Sequence, residues 1–346
     1  MRRSVVNMQK IAALAGVSIA TVSRALNKSG PVKEATRARI LQLAGEYQYT
    51  PNPIARSLST QKTDTIGLIL PEMADEFFMD IIRGIDEEAY RANRFLLVSS
   101  FHTQRDIAAT LLEFMSSGRV DGVILMAPEG KNGLVETLRR SRRPLVLLNP
   151  PSDAQEFVYF KINNFQGAYA IVEHLFGHGY HRIGMITGPN GNIDADERLN
   201  GCLEAGRKHD LPIAPSLIMP GDFSARSGYY AFMRLMSQME KPEAVFAAND
   251  MMAMGAYQAA RSLNLRIPQD IALAGFDDIF LSQLLTPRLT TVHVPIVELG
   301  SKAVRYLLQM INGEVDPSAP YHEELTAGLV IGGSCGCESV AAAVPL

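Results

Sequence analysis

Residues 15–27 read AGVSIATVSRALN. Just upstream, Met8, Ile11, Ala12 and Ala15 recur at helical spacing, with Asn7 placed to cap the first turn. Gly16 supplies the positive φ that a sharp turn needs. Ser18 is a good N-cap for a second helix over IATVSRALN. Small residues at Ala12 and Ala15, with Val17 and Val22 between the helices, let the two cross closely. The pattern predicts helix, tight turn, helix, the arrangement whose second helix enters the DNA major groove.

Outward from that stretch, VKEATRARILQLAGEYQY predicts a third helix, with Ile40, Leu43, Ala44 and Tyr47 on one face. YTPNPIARSLST follows. There Asn52 is an N-cap, Pro53 suits the first helical position, and a short helix would run to about Leu58. That helix leaves Leu58 with no partner in its own segment.

The 346 residues carry a net charge of −3, which looks unpromising for a nucleic-acid partner. The average conceals an asymmetry. Residues 1–62 hold ten Lys/Arg against two acids, a balance of +8, which leaves −11 for the rest. A basic head on an acidic body points to a polyanion partner for the head alone. Three cysteines, Cys202, Cys335 and Cys337, are too few for a disulfide framework and read as reduced cytoplasmic thiols. No apolar run reaches the ~18 residues of a membrane span. MRR followed by IAALAGVSIA imitates a secretory leader, but Asn7, Gln9 and Lys10 lie against the apolar run and basic residues continue well past it.

From residue 64 the body alternates. TIGLILP, FLLVSS, GVILMA and PLVLLN, then RIGMITG, AVFAAND and IALAGFD, are short apolar runs separated by helical patterns. Continuous apolar strands between helices mean parallel sheets covered on both faces. Ligands in such sheets bind beyond the carboxyl ends of the strands. Phe77 and Phe78 follow the first strand, Asn149 the fourth, and Arg198 the fifth. Asn249 and Asp250 follow the sixth, Asp277 and Asp278 the seventh, and Phe223 ends another short run, LIMPGDF. Aromatics beside Asn, Asp and Arg suit a sugar, with flat faces for C–H surfaces and planar polar groups for paired hydroxyls.

AGVSIATVSRALN, TRARI, YTPNPIARSL and TDTIGLILP, in this order, resemble the LacI/GalR family of transcription regulators over nearly the whole chain. The resemblance implies an α/β fold class: a small all-α helix-turn-helix domain plus two similar α/β lobes with parallel sheets, like periplasmic sugar-binding proteins. It divides the chain into a DNA-binding domain (1–50), a hinge helix and linker (51–63), a first lobe (64–163 plus 293–322) and a second lobe (164–292 plus 323–346). Crossings between lobes are expected near Asn163, His293 and His322. The implied partner is double-stranded DNA with a near-palindromic operator. Ile19, Ala20 and Arg24 would face base edges, Arg24 alone being able to grip guanine with two hydrogen bonds. Ser18, Thr21, Ser23 and Asn27 would hold phosphates. Leu58 would wedge into the minor groove, with Asn52, Ala55 and Arg56 beside it. So short a hinge helix is marginal alone, which implies a homodimer that forms it on DNA. Lys10 and Lys33 stand where the family usually has Asp and a Ser cap, making the head more basic.

The effector positions implied by the resemblance are Asp75, Phe77, Phe78, Ile81, Asn149, Arg198, Phe223, Asn249 and Asp277. Ile162 stands where the family usually carries Asp, so an inter-lobe polar contact is expected to be missing or the ligand to differ. A sugar or glycoside that releases the repressor is the first reading, and a purine corepressor the second. A secreted sugar-binding protein and a co-regulator with a vestigial pocket are the rival classes. No Walker A, GxGxxG after a strand, HExxH or nucleophile elbow is present, so no enzyme and no cofactor are expected. His174, His178 and His181 read as a helix end favoured by the dipole rather than as metal ligands. ESVAAAVPL carries no heptad leucines, so a dimer without a tetramerising coiled coil is expected, in the cytoplasm and on the nucleoid.

Overall fold

The computed structural model describes residues 7–27, 30–49, 62–71, 76–100, 107–128, 134–140 and 143–338, without the side chains of 107–110 and 112. The chain divides into two compact units, Met1–Thr63 and Asp64–Leu346.

In the first unit, α1 (Met8–Ala15), α2 (Ile19–Asn27) and α3 (Glu34–Glu46) surround Ile11, Ala12, Val22, Ala25 and Ile40. Asn7 Oδ1 accepts from Lys10 N at 3.0 Å and caps α1. Gly16 ends α1 at φ 68°, left-handed as the tight turn demands. Ser18 Oγ accepts from Thr21 N at 3.2 Å and caps α2. On α3, Ile40 and Ala44 are buried as the periodicity predicts. Tyr47 corrects it: the ring is 40% exposed, with the Lys10 ammonium 5.7 Å from its centre, and Tyr49 packs on the core instead.

The second unit holds two sheets. The first is six-stranded and wholly parallel, in the order β11-β5-β4-β3-β1-β2. Its strands are β1 (Thr65–Leu70), β2 (Phe95–Ser100), β3 (Gly122–Met126), β4 (Leu145–Leu148), β5 (Val158–Ile162) and β11 (Tyr321–Leu325). The second is four-stranded and parallel, β7-β6-β8-β9, from β6 (Ile183–Thr187), β7 (Ile218–Pro220), β8 (Ala244–Ala247) and β9 (Ala272–Ala274). Strands β3, β4, β6, β8 and β9 are buried at every residue, as apolar strands covered on both faces must be.

Helices cover both sheets: α4 (Glu76–Arg91), α5 (Ile107–Ser116), α6 (Leu134–Arg139) and α12 (Ile296–Asn312) the first, α7 (Asn164–Gly177), α8 (Ile193–Lys208), α9 (Ala225–Met236), α10 (Asp250–Ser262) and α11 (Phe280–Gln283) the second. The α4–α12 contact is close enough that a Cβ on Gly84 would strike the Val297 carbonyl.

Between the sheets, β10 (Thr291–His293) pairs antiparallel with β12 (Gly328–Val330). The chain therefore crosses after Ile162, at β10, and a third time after Leu325. His322, near which the third crossing was expected, sits inside β11 opposite Tyr159, and the strand ends at Leu325. Strand β7 falls in the short run LIMPGDF, and β5, β10, β11 and β12 are additions to the apolar runs of the sequence.

Candidate functional site

In the head, α2 turns Val22 and Ala25 inward, which leaves Ser18, Ile19, Ala20 and Arg24 exposed and Thr21, Ser23 and Asn27 half-buried. Arg24 Nε donates to Ala20 O at 3.3 Å, laying the side chain along the outer face of the helix. Asn27 Nδ2 donates to Ser23 Oγ at 3.3 Å. Lys33, at the N-cap of α3, makes no side-chain cap hydrogen bond. Asn52, Ala55, Arg56 and Leu58 lie outside the described residues, as does Asp75.

In the body, a buried polar network links the lobes. Asn149 follows β4 of the first sheet at φ 45°. Its Oδ1 accepts from Ile162 N at 3.1 Å, and its Nδ2 donates to Asp194 Oδ2 at 3.0 Å. Asp194 lies in the first turn of α8, where the helix dipole favours a carboxylate. Its Oδ1 accepts from Asn164 Nδ2 at 2.9 Å. Asn164 Oδ1 in turn accepts from Arg198 Nε at 2.8 Å, one helical turn after Asp194. Arg198 Nη1 donates to Ala248 O at 2.6 Å and stands 3.2 Å from Asp277 Oδ1, after β9. The guanidinium lies 3.9 Å over the Phe276 ring and 5.9 Å from that of Phe223. Nothing among the described residues hydrogen-bonds its Nη2. Burial drives the Asp194 carboxyl up to about 6, against the pull of Arg198 and the two amide donors.

Beside this network a cavity of about 450 Å³ opens between α4, the β9–α11 loop and the start of α12. Phe77, Asp277, His293 and Val297 are among its walls. His293 Nδ1 lies 3.0 Å from Asp278 Oδ2. Arg198 stands behind Asp277 rather than in the wall. Positive φ angles gather here: Asn149, Phe223 at 68°, Asp277 at 111° and Asp278 at 57°. A bulky residue such as Phe in that region is strained, and strain of this kind concentrates at functional sites.

The expected effector residues thus divide. Phe77 and Asp277 line the cavity, and Arg198 contacts Asp277. Asn149 is wholly engaged in the inter-lobe network. Asn249 caps α10, its Oδ1 accepting from Met252 N, while its Nδ2 donates to Phe223 O at 3.0 Å. Phe78 packs edge-on against Phe77, with ring centres 5.5 Å apart, and rests on the core. Ile81 is fully buried in the core and is not among the residues that line this cavity. The Ile162 side chain is core, and the polar link between the lobes runs instead from Asn149 to Asp194.

Asn164, Asp194, Phe276 and His293 join the candidate site without having been named by strand-end reading. The spacing of Asp194 and Arg198, one helical turn apart, was the available signal for one of them. Outside the cleft, Cys335 and Cys337 have histidine neighbours, His174 and His178, brought from far away in sequence.

Comparison with known proteins agrees with this architecture. Residues 7–52 match the bacterial regulatory proteins of the lacI family, and residues 172–335 match a periplasmic binding protein-like domain. The chain is 35% identical over 306 residues to the HTH-type transcriptional repressor PurR of Proteus mirabilis (strain HI4320), covering 88% of this chain and 90% of that protein. It resembles the crystal structure of the lac repressor dimer bound to operator and the anti-inducer ONPF with a TM-score of 0.85 at 28% identity, over 95% of this chain and 99% of that one. A complex of the transcriptional regulator CelR with cellobiose gives a TM-score of 0.73 at 28% identity, with the same coverage. On a helix-turn-helix head, a two-lobed α/β body and these similarities, the chain belongs to the LacI family of bacterial regulatory proteins.

Proposed function

We propose that this chain is a transcriptional repressor that holds a near-palindromic operator as a homodimer and is released when a sugar or glycoside enters the cleft between its lobes. The observation that carries the reading is the buried chain Asn149–Asp194–Asn164–Arg198–Asp277, which joins both lobes and ends on the cavity wall. A ligand whose hydroxyls pair with Asp277 and the outer edge of Arg198 competes with their mutual contact. It thereby changes which lobe arrangement is favoured. A tenfold change in operator affinity needs only ~1.4 kcal/mol of differential binding. Ile19, Ala20 and Arg24 read bases, while Ser18, Thr21, Ser23 and Asn27 hold phosphates. We assign the chain no catalytic role and place its action in the cytoplasm, on the nucleoid.

A flat nitrogen heterocycle acting as corepressor is the second reading. It is favoured by the Arg198 guanidinium stacked at 3.9 Å on Phe276 beside the Phe77 and His293 rings of the cavity.

The test is capture of genomic fragments by the purified, ligand-free chain at ~0.15 M salt, where non-specific phosphate binding is already weak. A recovered near-palindrome supports the repressor, and the genes beside it name candidate ligands. Anisotropy of that operator then decides between readings: a sugar weakens binding under the first, a purine tightens it under the second. Arg198→Ala should keep operator affinity and lose the ligand response. No selective fragment, with or without candidate ligands, would sink the proposal.

A further inference from the structure

His174 and His178 are one turn apart on α7, so both imidazoles leave the helix on the same side. Cys335 and Cys337 come from the loop after β12. His174 Nε2 lies 3.3 Å from Cys335 Sγ and 3.7 Å from Cys337 Sγ. His178 Nε2 lies 3.0 Å from Cys337 Sγ. The four ligand atoms all fall within 4.8 Å of one another. A tetrahedral zinc ion, with Zn–S of about 2.3 Å and Zn–N of about 2.0 Å, holds its ligand atoms about 3.3–3.8 Å apart. The cluster is therefore close to that spacing before any ion enters.

The surroundings are those of a built site. The H-x3-H spacing on one helix is usual for zinc, whereas C-x-C is tighter than the common C-x2–4-C. Gly336, at φ 97°, is what turns both sulfurs the same way, and a Cβ there would press on the Tyr180 hydroxyl at 3.1 Å. Thr290 Oγ1 donates to Cys335 Sγ at 3.0 Å, and Tyr180 Oη donates to Cys335 O at 3.0 Å. Such outer contacts fix the orientation of metal ligands. Cys335 is buried while His178 is exposed, which leaves an entry path on one side. None of the four residues lines the effector cavity. A dipole-favoured histidine or a single imidazole–thiol hydrogen bond accounts for one contact; it does not account for two of each type converging.

We propose that His174, His178, Cys335 and Cys337 bind one divalent, borderline-soft metal ion, zinc by its donor preference, clipping the segment after β12 to helix α7. Two thiolates and two neutral imidazoles balance the 2+ charge, and two thiol protons leave to solvent on loading.

The experiment uses the full chain, purified under reducing conditions, stripped with a chelator and titrated with cobalt(II) and then zinc(II). The expected result is one equivalent of cobalt with the intense visible bands of a tetrahedral site and sulfur-to-cobalt charge transfer, displaced by zinc, and a thermal midpoint raised by zinc. Loss of an outer contact alone costs ~10–100-fold in affinity, so His178→Gln and Cys337→Ser should weaken binding by about 100-fold or more. His178 is exposed, so its variant keeps the fold even if a cysteine variant does not. Absence of tetrahedral bands, binding unchanged in His178→Gln, or a Cys335–Cys337 disulfide persisting under reductant would each overturn the site.

Discussion

Asp194 is a carboxylate that the fold would rather keep protonated. Its ordinary value of 3.8 rises to about 6, so the folded state holds the proton more tightly than the unfolded chain. The stability this brings is fully present below about pH 4 and is lost as pH rises through about 6. Asp194→Asn removes that dependence. Relative to the parent chain, the variant should therefore gain on the order of 2–3 kcal/mol between about pH 4 and 7 in urea unfolding. Parallel pH curves for the two proteins would contradict the assignment. On the head, Arg24 lies exposed along the outer face of α2. Arg24→Ala should flatten preference at one base pair per half-site, costing ~1–3 kcal/mol of discrimination while sparing random-sequence affinity. Equal losses on specific and random DNA would count against base reading.

Helix α3 starts poorly, because Lys33 at its N-cap accepts no backbone N–H. Lys33→Ser should stabilise the head by ~1 kcal/mol, read as slower amide exchange along α3. If Lys33 meets a phosphate, the same change lowers the salt slope of DNA binding by about one unit. Elements also divide by how well their own sequence announces them. The head was legible because α1 and α2 carry their caps and turn glycine locally, and α3 shows its buried face by periodicity. The fully buried strands were legible because apolar runs cannot hide. Strand β11, YHEEL, was not, because an edge strand faces solvent and reads as polar. Strand β5 carries Lys161, whose ammonium sits 3.0 Å from Glu324 and 3.4 Å from Glu197, partners that only the folded chain supplies. At the site, strand-end reading named Phe77 and Asp277, which line the cavity, and Arg198, which contacts Asp277. It did not name Asn164 and Asp194, whose roles exist only through each other, and Ile81, implied by the resemblance alone, is core. The cysteine–histidine cluster was invisible because its two halves meet only through the packing of the segment after β12 on α7.

At the scale of the whole molecule, the exposed apolar side chains include those of one short helix and one sheet edge. On α11 and just after it, Phe280, Leu281 and Leu284 are 55%, 39% and 64% exposed; at the edge strand β2, Phe95 is 75% exposed. Exposed apolar groups gathered this way mark association surfaces. Leu284→Glu combined with Phe280→Glu should shift the proposed homodimer to monomer in sedimentation and abolish operator selectivity, because a single head reads one half-site. A dimer undisturbed by both changes would locate the interface elsewhere.

The polar chain from Asn149 to Asp277 also bears on how such a protein can diverge. Each member satisfies its neighbour, so replacing one strands a buried partner at ~1–3 kcal/mol. New ligand preferences should therefore arise first in the walls that carry no such obligation, Phe77 and Val297, with the polar chain inherited intact. A saturation library over both sets, selected for response to unfamiliar sugars, should return winners almost wholly from the walls. Frequent winners at Asn149 or Asp194 would show that the chain is less binding on its own descendants than its geometry implies.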